Sequence, residues 1–184
     1  MSLTDEVLEF WFGNPPSGDF QPWWFQSSSE TDEKITSRFQ DIYHDVEAGK
    51  YKDQLQSAED YLAQIIVLDQ FSRNMFRGHA QAFAADPQAL TLAKEAVARG
   101  FDQQLPSGMR AFMYLPYEHS EDRADQAESI RLFTALGDEN ALQYARAHQV
   151  IIERFGRYPH RNQALGRVST VEELVFLQEP GSSF

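Results

Sequence analysis

Apolar residues recur at three- and four-residue intervals along most of the chain, and no segment alternates with period two. Ile35, Phe39, Ile42, Tyr43 and Val46 fall on one face of a helix over 30–48, which Gly49 ends. Punctuation sets the other limits. Thr4 to Phe12 predicts an opening helix stopped by Gly13 as a left-handed cap. Pro15, Pro16, Gly18 and Pro22 make the next stretch a loop, carrying an aromatic knot at Trp23, Trp24 and Phe25. Ser57 caps a helix over 58–76 that is apolar on nearly every side and therefore central. Asp86-Pro87 supplies a cap and an N1 proline for a helix to Arg99, closed by Gly100. Ser107 to Leu115 reads as a shorter helix halted by Pro116. Ser120 caps another, with Glu121 and Asp122 in its first turn, running to Leu136 before Gly137. Asp138 opens a helix through Phe155 with Gly156 as its stop, and Thr170 with Glu173 forms a capping box for a last helix to about Gln178. The pattern predicts an all-α fold of roughly seven to eight helices in antiparallel helix-turn-helix pairs, with residues 1–184 as one domain.

Composition narrows the class. Hydrophobic content of 42%, with 14 Phe, supports a sizeable core. There is no cysteine, which excludes disulfides, thiolate nucleophiles and Cys-ligated zinc, and fits a reducing cytoplasm. The N-terminus has neither a basic nor an apolar leader region, so no signal peptide is expected, and the longest apolar run, Ile65 to Leu68, is too short to span a bilayer. A net charge of -12 and a pI near 4.7 argue against nucleic-acid or anionic-membrane partners.

Against that acidity, Arg154, Arg157, Arg161 and Arg167 crowd one short run that also holds Tyr158, Pro159, His160 and Asn162. A guanidinium is a planar fork suited to carboxylate or phosphate, so the cluster wants anionic partners, either the protein's own or a ligand's. Asp69 and Arg73 fall one turn apart among Leu62, Ile65, Ile66 and Phe76, with Arg77 a turn later. Charges on an apolar face must be paired, so these form either a buried structural pair or a ligand site. His148 shares an apolar face with Ala145, Ile152 and Phe155, as a satisfied core histidine or as a proton carrier at a pocket. His119, next to Glu118 and near Glu121, is left over once helix capping has explained its neighbours, and contact with those acids would raise its pKa. His160 follows a proline among arginines, whose like charge would depress its pKa. A metal site can be drawn from His119, His148, His160 and a glutamate, but no ligand-spacing motif supports it, and no metal or cofactor is expected. Phosphate loops, nucleophile elbows and dinucleotide fingerprints are missing.

The runs Val7 to Gly13, Leu68-Asp69-Gln70-Phe71-Ser72-Arg73-Asn74-Met75-Phe76-Arg77-Gly78, Leu115 to Glu121, Arg154 to Asn162 and Leu165 to Thr170 together resemble the signature of a bacterial family, domain of unknown function 924. Ser72 stands where that family often shows proline, and Tyr158 where it often shows phenylalanine. The resemblance implies a compact fold similar to tetratricopeptide-like helical domains, and no reaction. The expected site comprises Asp69, Arg73, Asn74, Arg77, His119, Glu121, His148, Arg157, His160, Arg161, Asn162 and Arg167, converging on one polar cleft between helices. The leading expectation is a cleft for a small anion or an acidic peptide end. The alternatives are a hydrolase or transferase with His119 or His160 as general acid-base, and a helical interaction module whose polar motifs are structural.

Overall fold

The computed structural model describes residues 2–183, and among them every regular element is helical. Three helices start on reciprocal capping boxes. α1 (Leu3–Phe12) starts on Ser2 with Asp5, α3 (Ala58–Ile65) on Ser57 with Asp60, and α10 (Val171–Phe176) on Thr170 with Glu173. Between them lie α2 (Ser29–Glu47), α4 (Ser72–Met75), α5 (Gln81–Ala84), α6 (Asp86–Ala98), α7 (Ser107–His119), α8 (Arg123–Leu136) and α9 (Glu139–Phe155). No helix among the described residues is long and apolar enough to cross a membrane.

Four local expectations change. The expected helix over 58–76 is helical through Met75, but Ile66–Phe71 is wound as a π-helix between α3 and α4. All six residues of that stretch are buried, so apolar periodicity carried no phase to reveal the wider turn. α7 continues through Pro116 to His119. The proline costs it a hydrogen bond, but buried Phe112, Met113 and Tyr117 hold the segment against the core. The cap of α8 is Asp122, whose carboxylate accepts from the Ala124 and Asp125 amides. Ser120 instead donates to the Asp125 carboxylate at 2.8 Å. Asp86 lies inside α6 with no capping bond, since Ala85 precedes the helix and arginines hold the Asp86 carboxylate. The short α5, between the glycine at 78 and α6, has no periodic signature of its own.

The main core runs from Val7 to Ala145. Trp11 is its hub, in edge contact with Trp23, Phe71 and Phe112. The aromatic knot folds onto it as a 3-10 turn, Pro22–Phe25, and Trp24 donates its ring N–H to the Trp11 carbonyl at 2.9 Å. The loop crosses α7 where Gly18 meets Gly108. A Cβ on Gly108 would stand 1.9 Å from the Gly18 carbonyl oxygen, so only glycine permits this approach. Short connections lay α7, α8 and α9 side by side in antiparallel order. Beyond Gly156 the chain turns back across them. Tyr158 and Phe176 join Ile151 and Ile152 in a second, small core.

Candidate functional site

The central helix delivers the first charge. Asp69, fully buried in the π stretch, faces His119 Nδ1 at the end of α7 at 2.7 Å through Oδ1, and accepts from the Gln70 amide at 2.6 Å through Oδ2. Arg73 stands 3.8 Å from Asp69 Oδ1, too far for a hydrogen bond. Its fork turns to Asp86 instead. Nη2 donates to Oδ2 at 2.9 Å, and Nη1 lies 2.7 Å from Oδ1 while donating to the Ala82 carbonyl. The same Asp86 Oδ2 receives Arg161 Nη1 at 3.3 Å. Both guanidiniums lie over the Phe83 ring, at 4.7 and 4.8 Å, and Arg161 also lies over Tyr158 at 4.5 Å. The His160 ring is 5.6 Å from that of Tyr158, and the His148 ring is 5.7 Å from Tyr158 and 6.1 Å from His119. Asp69, Arg73, His119, His148, His160 and Arg161 therefore come together.

Glu118, Asp86, Phe83, Gln126 and Tyr158 complete this cluster without having been singled out as site residues. Glu118 Oε1 is 3.1 Å from His148 Nδ1, which donates to the Tyr144 carbonyl at 2.9 Å, and Glu118 Oε2 is buried with no hydrogen-bond partner. The Gln126 amide donates to the Glu118 and Ser120 carbonyls and to the Tyr158 hydroxyl, which itself donates to the Glu118 carbonyl at 2.5 Å.

The other expected residues do not join. Glu121, Arg157, Asn162 and Arg167 form a clasp outside the cluster. Arg167 grips Glu121 at two points, 2.8 and 3.0 Å, and also donates to Asn162 and to the Tyr158 carbonyl. Arg157 grips Glu173 at 2.6 and 2.8 Å, and the Asn162 amide donates to Ser169 and Glu173. Asn74 and Arg77 lie elsewhere, both bound to Asp32. The single cleft is thus three networks, because Arg77, Arg157 and Arg167 each find a carboxylate on a neighbouring segment. His119 touches Asp69 rather than Glu121, whose carboxylate Arg167 holds.

The profile of a family described as a bacterial protein of unknown function, DUF924, matches residues 7–181. The chain belongs to the DUF924 family. It is similar to a solved protein of unknown function from Agrobacterium tumefaciens, ATU0120, at 38% identity, covering 96% of this chain and 97% of that one with a TM-score of 0.88. No curated protein matches it.

In this DUF924 chain the charge states of the cluster follow from position. Burial alone would raise the Asp69 carboxyl, but His119, Arg73 and the Gln70 amide outweigh it and hold the group well below the usual carboxylate range. Glu118 lacks such help, and burial, followed by the nearby Asp69 charge, pushes it up to about 8. Burial lowers His148 to about 3, with the His119 charge adding to it. His160 is held at about 4, by burial first and only then by Arg161 and Arg73. Burial and the Arg73 charge also lower Arg161.

Proposed function

We propose that the protein binds a small anion, or the carboxylate end of an acidic peptide, at the cluster of Arg73, Arg161, His119 and His160. One observation carries this reading. Arg161 is only 6% exposed, its one carboxylate hydrogen bond is a long 3.3 Å to an Asp86 already held by Arg73, and its Nε is buried without a partner. Asp69, 3.8 Å from Arg73, is already bonded to His119 and Gln70, so the buried Arg161, sharing Asp86 with Arg73, is left short of acceptors where water cannot fully solvate it. An anionic ligand would supply the missing acceptors in the two-point geometry a guanidinium favours. Phe83 and Tyr158, packed on the guanidinium faces, fix the orientation of the forks. The cysteine-free composition suggests the cytoplasm as the setting.

The test is thermal. Phosphate, sulfate and short dicarboxylates should raise the melting temperature beyond chloride at matched ionic strength, because a ligand of the native state stabilises it. Arg161→Met should abolish that increment. A panel with no effect above the chloride control removes the anion-binding reading.

A further inference from the structure

A recess of about 300 Å³ lies between the first turn of α8 and the second half of α9, lined by Arg123, Gln126, Gln149, Ile152 and Glu153. We infer that it binds a free α-amino acid as its zwitterion. Arg123 takes the carboxylate, Glu153 and Gln126 take the ammonium, and Ile152, itself fully buried, supplies an apolar floor. Arg123 and Gln126 are three residues apart on α8, and Gln149 and Glu153 four apart on α9, so each helix presents two neighbouring polar side chains to the recess.

The polar groups of this lining have bonding capacity that the protein does not fill. Gln126 is 1% exposed. Its amide nitrogen is spent on the carbonyls of Tyr117, Glu118 and Ser120 and on the Tyr158 hydroxyl, while its Oε1 is buried with no partner. Turning the amide round does not relieve this, because the oxygen would then face three carbonyl oxygens. A buried acceptor calls for a donor, and a ligand in the recess that Gln126 lines can bring one. Arg123 donates from Nη2 to the backbone carbonyl of Glu153 at 3.1 Å and pairs with no carboxylate among the described residues, the Glu153 side chain included. Arg38, Arg131 and Arg154, also exposed, each find one. The Glu153 carboxylate and the Gln149 amide have no partner among the described residues either. A cation and an anion thus border one recess without joining each other.

An α-amino acid matches that arrangement, because its two opposite charges flank a single carbon. The ammonium has three hydrogens to donate, and Glu153, Gln126 Oε1 and the Gln149 carbonyl oxygen are three acceptors. The carboxylate accepts from the unused edge of the Arg123 fork. A simple anion would satisfy Arg123 and be repelled by Glu153, and a simple amine would meet the converse, so the pair of charges selects the zwitterion. The inference does not rest on the anion reading, which uses Arg161 and Asp86.

The test screens the full chain against the free proteinogenic amino acids at matched ionic strength, by melting temperature and then by calorimetry. At least one should stabilise the protein and titrate to one equivalent. Its N-acetyl and C-amide derivatives each lack one charge, and both should bind about tenfold more weakly or worse. Arg123→Gln and Glu153→Gln, at exposed positions, should keep native circular dichroism and each weaken binding by about tenfold or more. Lys34→Gln/Glu30→Gln, which removes an exposed ion pair from α2, should leave binding unchanged. A folded wild type that binds none of the amino acids overturns the inference. So does a derivative lacking one charge that binds as tightly as its parent, or full affinity in either Arg123→Gln or Glu153→Gln. Binding that Arg161→Met abolishes and Arg123→Gln retains would belong to the anion cluster instead, and would equally overturn it.

Discussion

At the residue scale, the buried charges are interdependent. Asp86 is the shared counter-ion of Arg73 and Arg161, so Asp86→Ala strands two guanidiniums. It should cost about 3–5 kcal/mol, at least as much as Asp69→Ala, in urea unfolding. Equal melting of Asp86→Ala and wild type would mean the arginines are solvated. The two deeper histidines should differ too. His148 packs on Ile152's side of α9 and bonds the Tyr144 carbonyl, whereas His160 is only partly buried on a short 3-10 turn. His148→Ala should lower the melting temperature clearly more than His160→Ala, and the reverse order would make the turn at 159–161 the structural keystone. Helical phase picked out Asp69, Arg73 and His148 because a charge or imidazole on an apolar face is an anomaly visible in one dimension. Asp86 and Glu118 escaped because helix-end chemistry already accounted for acids at those positions. Their actual partners lie on segments tens of residues away, as Arg161 does from Asp86.

At the element scale, capping residues and glycine stops gave the limits of α1, α2, α6 and α9 to within a residue or two. They failed where packing overrode local chemistry, at the π stretch and at Pro116. The π stretch matters to the site because it spends more residues per turn than an α-helix, and so sets the angle at which Asp69 meets His119. A second contact of elements gives a sharp prediction. Gly108→Ala would place a methyl carbon against the Gly18 backbone with no flexible side chain to yield. The aromatic loop should lift from α7, lowering stability by about 1–3 kcal/mol and increasing hydrogen exchange around Trp23 and Trp24. Unchanged exchange there would show that the loop accommodates the methyl.

At the scale of the whole molecule, the return of the chain after Gly156 decides both acid resistance and the timing of assembly. Glu173 is held at about 2, chiefly by its bonds from Arg157, against 4.5 for an ordinary glutamate. A depressed folded pKa stabilises above the unfolded value, so this contribution is complete above about pH 5 and is lost as pH falls toward 2. Glu173→Gln should therefore destabilise at neutral pH and flatten the acid limb of the stability profile; an unaltered limb would place the acid sensitivity elsewhere. The same geometry separates two events in biosynthesis. The large aromatic core needs nothing beyond Ala145, whereas the charged cluster needs Tyr158, His160 and Arg161, and the clasp that seats them needs Glu173. At ordinary translation speeds the residues from 157 to 173 follow the core by roughly 1–6 s. During that interval a nascent chain can bury its aromatics and satisfy a chaperone while Gln126 and Glu121 still wait for Tyr158 and Arg167. A ribosome that stalls after α9 would thus release a chain with an intact core and an unassembled charged cluster, a product that solubility assays would pass.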